Sequence, residues 1–160
     1  MKIKMLVIIS SLIWANISWA GSYGPKEKRV GAGVVLGDPS GLTIKGFISP
    51  RLSLGGIISW SFIDEAFLVV GDVDYEFLEI PIETDKISLP FYAGGGLKVG
   101  FDQGGMDKDR TIVGIRVPFG VAVQWTRHPL EVFFEVAPGI DLAPSTKGDL
   151  TGGIGARFYF

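Results

Sequence analysis

Read two residues at a time, the chain from Val30 onward separates into two unlike faces. Val30–Leu36 sets Val30, Ala32, Val34 and Leu36 against Gly31, Gly33 and Val35, the period of a β-strand with one apolar side. Leu42–Ile48 and Leu52–Phe62 repeat the pattern, and Ala66 to about Ile80 sharpens it. There Asp72, Asp74 and Glu76 share one parity and Phe67, Val69, Val73, Tyr75 and Phe77 the other. A helix would scatter these charges around its circumference. Ile87–Phe101, Thr111–Trp125, Leu130–Leu142 and Leu150–Phe160 continue the alternation. Between the segments lie turn formers such as Gly37-Asp38-Pro39-Ser40-Gly41, Ser49-Pro50-Arg51 and Thr126-Arg127-His128-Pro129, with Asp102–Arg110 the longest connection. Pro138 interrupts the seventh segment, where a residue without an N–H predicts a bulge or a missing ladder bond.

Eight alternating segments predict an all-β fold, and their spacing suits strands joined by short turns. One parity carries no charge in any of the eight. The other collects Lys45, Asp72, Asp74, Glu76, Lys98, Arg116, Glu131, Glu135, Asp141 and Arg157. Alternation alone does not say which face is outside, since a soluble lipocalin-like carrier would fill its interior with the apolar set. Aromatics of the apolar parity break the tie. Trp60, Phe62, Phe67 and Phe101 gather at one rim, and Tyr75, Phe77, Phe91, Trp125, Phe158 and Phe160 at the other, as the interfacial girdles of a membrane barrel do. Closing the sheet also satisfies every backbone group in lipid. The expectation is an eight-stranded antiparallel up-and-down transmembrane β-barrel. Its ten charged residues face inward, in a lumen only wide enough for side chains to fill. They form a packed ion-pair network there, since unpaired buried charges are costly.

Composition narrows the function more than the fold. The 160 residues carry a net charge of −2, and no basic run points to nucleic acid. There is no Cys, which excludes disulfides, thiolate metal sites and a lipid-bearing N-terminal Cys. Lys2 and Lys4, the apolar run from Met5 to about Ile17, and Ser18-Trp19-Ala20 have the three parts of a secretory signal, cleaved near Ala20. The expected division is a leader over 1–20 and a barrel over 21–160. Without Lys2 and Lys4, the remaining 13 basic residues face 17 acidic ones, a net −4.

The terminal strand, with Phe158 and a final Phe160, resembles the C-terminal signal by which bacterial outer-membrane barrels are recognised by their assembly machinery. The whole pattern is similar to OmpA/OmpX-type barrels. Gly31–Thr43 and Glu135–Phe160, with Glu135-Val136-Ala137-Pro138 and Gly152-Gly153-Ile154-Gly155, resemble a family of small outer-membrane barrels known from spirochaetes and other Gram-negative-type bacteria. This implies an outer-membrane location, a monomer, lipid and the assembly machinery as partners, and no assigned enzymatic activity.

Candidate chemistry is sparse. Some eight-stranded barrels modify lipid at the outer leaflet with a His, a Ser and an acid, but the single His128 falls at the terminal rim, away from that leaflet. Asp102, Asp107 and Asp109 could attract a divalent cation, though a solvated acidic loop is the commoner arrangement. No nucleophile–base pair, metal set or cofactor motif stands out. The expected role is structural or surface-interacting, with a mostly plugged polar lumen and an unknown ligand at the outward loops. The alternatives are a small channel, an outer-leaflet lipid enzyme and a soluble exported carrier.

Overall fold

The computed structural model describes residues 24–61, 66–82, 86–102 and 110–160, with only the backbone at Ser61, Ala66, Asp102 and Arg110. The expected leader, Phe62, Asp107 and Asp109 lie outside the described residues, as does the side chain of Asp102. The described chain opens with a short 3-10 turn, Pro25–Glu27. It continues through β1 (Val30–Asp38), β2 (Gly41–Phe47), β3 (Leu52–Ser61), β4 (Ala66–Ile82), β5 (Ile87–Asp102), β6 (Arg110–Arg116), β7 (Phe119–Trp125), β8 (Leu130–Ala143) and β9 (Lys147–Tyr159). Every pairing is antiparallel, and the sheet closes because β9 pairs both β8 and β1.

The nine strands make eight staves. β6 and β7 are the halves of one stave, both lying between β5 and β8. The break falls at Val117-Pro118, where Pro118 has no N–H to give and Val117 N donates instead to Pro138 O at 2.9 Å. At Pro138 the missing ladder bond is found and the bulge is not: pairing with β6 stops at Gly139–Arg116 and resumes with β7 at Val136–Phe119. β8 runs through Pro138 in unbroken register with β9, and the irregularity sits beyond it, where Val113 pairs Ala143 but Gly114 pairs Asp141. A second bulge lies at Phe77, between Glu76 and Leu78. It leaves Phe77 and Leu78 both facing outward, 53% and 48% exposed, and shifts the parity of β4 beyond it, so that Glu79 turns inward toward Ser88.

Register sets the size of the barrel. From Gly33, paired residues lead one way through Arg157 to Glu131 in β8. The other way, through Thr43, Ile57, Val70, Lys98 and Gly114, they lead to Asp141, ten residues further along the same strand. Ten residues of about 3.3 Å set against eight strand spacings of about 4.7 Å tilt the staves by about 40° to the axis. The result is a narrow barrel with a filled interior.

Its faces are inverted relative to a soluble protein. Leu36, Leu97, Leu150, Ile154 and Phe158 are more than half exposed, whereas Lys45, Arg116, Glu131 and Arg157 are at most 5% exposed. Trp60, Phe67 and Phe101 are consecutive register partners across β3, β4 and β5 and form one aromatic row. At the opposite end, near both chain ends of the barrel, Tyr75, Phe77, Phe158 and Phe160 are exposed while Phe91 and Trp125 are half-buried. This is the outer surface of a barrel that meets lipid. Among the described residues no helix is long and apolar enough to cross a membrane, and the crossing is made by strands.

Candidate functional site

The lumen holds the chain's concentration of chemistry, arranged in tiers along the axis. Nearest the terminal rim, Glu131 is fully buried and accepts three hydrogen bonds. Arg157 Nη1 donates to Oε1 at 2.7 Å, while Gln124 Nε2 and Tyr159 OH donate to Oε2 at 2.8 and 3.1 Å. Lys45 Nζ stands 3.8 Å from the same Oε2 and donates to Glu76 Oε1 at 3.1 Å. Arg157 further donates from Nε and Nη2 to Thr43 Oγ1 and lies over the Phe133 ring, 3.8 Å from its centroid.

In the middle tier Arg116 bridges two acids. It donates from Nη2 to Glu135 and lies 3.2 Å from Asp72 Oδ1, a contact whose angle makes an ion pair but not a hydrogen bond. Tyr92 OH donates to Glu135 Oε2 at 2.9 Å. Toward the far rim, Lys98 holds Asp141 at 2.7 Å and also Asp149. All ten charges of the inward parity therefore lie on the lumen side, and nine of them form ion pairs; Asp74 forms none among the described residues. Its Oδ1 has no hydrogen-bond partner, nor does Oγ of its register partner Ser53, and both residues are at most 5% exposed. Counting residues at most 7% exposed, the five acids Asp72, Asp74, Glu76, Glu131 and Glu135 outnumber the four bases Lys45, Lys98, Arg116 and Arg157.

Four of the lumen contacts share one geometric device. Tyr92, Gly120 and Glu135 are consecutive register partners on three strands, and the Tyr92 ring lies over Gly120 to reach the acid. A Cβ on Gly120 would stand 2.2 Å from the ring. Asp72 meets Arg116 across Gly96, Lys98 meets Asp141 across Gly114, and Arg157 meets Thr43 across Gly33 in the same way. The apolar version is Phe133 reaching Val35 over Gly155, where a Cβ would come within 2.4 Å of the ring. In a barrel this narrow, a large side chain needs a small one beside it. The alternating sequence showed Gly on the inward parity, but the pairing of each Gly with a bridge depends on register.

The site has members beyond the ten charged residues of the inward parity. Thr43, Gln124, Tyr92 and Tyr159 are buried partners of the ions, and Asp149 and Glu79 join through Lys98 and Ser88. Their signal was inward parity, except for Glu79, which the bulge re-aims. Nor is the lumen polar throughout: Val35, Ile57, Val70, Ala122 and Phe133 form a buried apolar cluster within it.

Two spaces remain. A chamber of about 370 Å³ behind the terminal rim is lined by Pro25, Glu76, Glu79, Ser88 and Gln124, with the 3-10 turn at its mouth. In the far half, the space bounded by Val35, Ile57, Phe133, Arg116 and Glu135 is about 10 Å³, the lower limit for a single water. His128 lies in an exposed turn at the terminal rim. Among the described residues no group of three His, Cys, Asp or Glu is placed to hold a metal ion.

Residues 24–160 match the family described as "Protein of unknown function (DUF3996)". The chain belongs to this family. No curated protein matches it. Among solved structures it is similar to the N-terminal β-barrel domain of Pseudomonas aeruginosa OprF, at 15% identity, with 86% of this chain and 99% of that chain covered and a TM-score of 0.56. It also matches Ail, the attachment invasion locus protein of Yersinia pestis, at 14% identity with the same coverages and a TM-score of 0.38. The first likeness shows the outer-membrane barrel fold, which the DUF3996 chain realises with its own lumen.

Proposed function

We propose that this chain is an integral outer-membrane protein without a catalytic role. Its lumen is a structural brace, and its far-rim connections meet partners at the cell surface. The observation that carries this reading is the constriction in the far half of the lumen, where Arg116 and Glu135 with Val35, Ile57 and Phe133 bound a space of about 10 Å³. The exposed position of His128 at the terminal rim supports the absence of a lipid-modifying centre built on it. Phe158 and Phe160, both exposed at the terminal rim, serve in this reading as the strand signal met by the assembly machinery, and the folded barrel acts as a monomer. Purified protein in planar bilayers is expected to show no steady conductance, and cell fractionation is expected to return it with the outer membrane, with a heat-dependent gel mobility. Steady conductance, or recovery in the soluble periplasm, overturns the reading.

The terminal chamber favours one second reading, a narrow channel whose constriction is the Arg116 tier. Steady conductance in the wild type that rises in Arg116→Ala would identify it.

A further inference from the structure

Among the described residues the outer surface carries an excess of bases at its terminal rim. At the terminal rim Lys26, Lys28, Arg51, Lys86 and Arg127 are exposed and Arg29 is half-buried. They come from the 3-10 turn and its extension, the β2–β3 connection, the start of β5 and the β7–β8 connection. They therefore surround the mouth instead of lying to one side of it. Among the described residues, the exposed acids at this rim are Glu27 and Glu79, and Glu79 is turned inward and held by Ser88. In sequence the 83–85 connection, outside the described residues, adds Glu83 and Asp85, so six bases face four acids. The far connections reverse the balance, with Asp38, Asp64, Glu65, Asp102, Asp107 and Asp109 against Lys108, Arg110 and Lys147.

Position gives this asymmetry its meaning. Beside the basic residues the outer wall carries Trp125, Phe77, Phe158 and Phe160, and aromatic side chains mark the depth at which hydrocarbon gives way to headgroups. A flexible ammonium or guanidinium placed just beyond that row reaches the lipid phosphate while its methylenes stay against the apolar wall. None of Lys26, Lys28, Arg51, Lys86 and Arg127 forms an ion pair among the described residues, so their charge is available to the lipid. The far rim has its own aromatic row, Trp60, Phe67 and Phe101, and in sequence its connections carry more acids than bases.

We infer that the terminal rim is a basic collar that selects anionic phospholipid headgroups in the leaflet around it and fixes the depth and orientation of the barrel. This rests on the membrane-barrel reading, and one experiment separates the two. In a chain carrying Trp14→Phe and Trp19→Phe, a further Trp60→Phe leaves Trp125 at the terminal rim, whereas Trp125→Phe leaves Trp60 at the far rim. Each protein is reconstituted in phosphatidylcholine vesicles with a minority of phosphatidylglycerol, and tryptophan quenching is compared when one or the other lipid carries brominated acyl chains. Phosphatidylglycerol is expected to be enriched several-fold at Trp125 and not at Trp60. The combination Lys28→Glu, Arg51→Glu and Arg127→Glu should lower that enrichment by about fivefold or more, since one surface base is worth about 1 kcal/mol toward an anionic leaflet. Lys28→Arg with Arg51→Lys and Arg127→Lys should keep it, and raised salt should weaken it. Heat-dependent gel mobility verifies that each variant is folded. Equal enrichment at both rims, or enrichment unchanged by the reversals, overturns the collar. Absence of quenching at either tryptophan overturns the membrane barrel itself.

Discussion

Tyr92 on β5 reaches Glu135 on β8 by lying across Gly120, the residue that stands between them on β7. Two strands are bridged because the middle one offers no side chain. Gly120→Ala puts a methyl group 2.2 Å from the ring, which is held at its far end by the acid and has Lys45 Nζ 5.0 Å over its face. Overpacking of this kind typically costs about 1–3 kcal/mol, to be read as a lower urea midpoint for the barrel folded in vesicles. Gly95→Ala is the control, since a Cβ there meets nothing within 4 Å. Equal midpoints for the two variants would show that the bridge is not what Gly120 serves.

Glu131 should be the most costly lumen side chain to remove. It is fully buried and receives Arg157, Gln124 and Tyr159, with Lys45 close by. Glu131→Ala leaves two buried cations short of their shared partner, and breaking a buried pair costs about 3–5 kcal/mol. Glu131→Gln, which keeps the shape and can still accept one of the bonds, should cost less. A loss from Glu131→Ala no larger than that from exposed Lys147→Ala would sink the idea that this tier braces the barrel.

Asp74 should behave in the opposite way. Its Oδ1 has no hydrogen-bond partner, and its carboxylate makes no ion pair among the described residues. Asp74→Asn removes an unpaired buried charge at nearly constant shape and should raise stability. Asp72→Asn, two residues earlier and facing the same way, strips Arg116 of one partner and should lower it. Opposite signs from chemically identical substitutions would be hard to obtain from any general effect of acidity. If both variants lose stability, Asp74 has a partner that the geometry has not revealed.

The two faces can be told apart by placing one charge. Ile154 is 54% exposed on the outer wall of β9, and Ile154→Arg should destabilise the barrel in lipid by about 2–4 kcal/mol if the site lies near the bilayer midplane. Thr151→Val, on the inner face of the same strand, forfeits a hydrogen bond to Ala137 O at 3.1 Å and should cost about 1 kcal/mol. Tolerance of Ile154→Arg in vesicles, measured by refolding yield, would mean that this wall does not meet lipid.

Alternation along the chain was enough to place the strands, to separate the face of Val34, Leu97 and Ile154 from that of Lys45, Glu131 and Arg157, and to identify a barrel closed by its last strand. That information is local, because a strand with period two assigns a face to every residue without reference to its neighbours. Which inward residues meet was decided only by closure. The ten-residue stagger sets Tyr92 against Glu135 and Lys98 against Asp141, with Gly120 and Gly114 between them, and no single segment carries that offset. The bulge at Phe77 was equally hidden, since Phe77 and Leu78 are both apolar and either could continue the outer face, yet it is what turns Glu79 inward. The sequence by itself therefore determined the faces, through the pleat of each strand. Tertiary structure alone decided the partners, because they depend on tilt, stagger and bulges, which belong to the closed sheet as a whole.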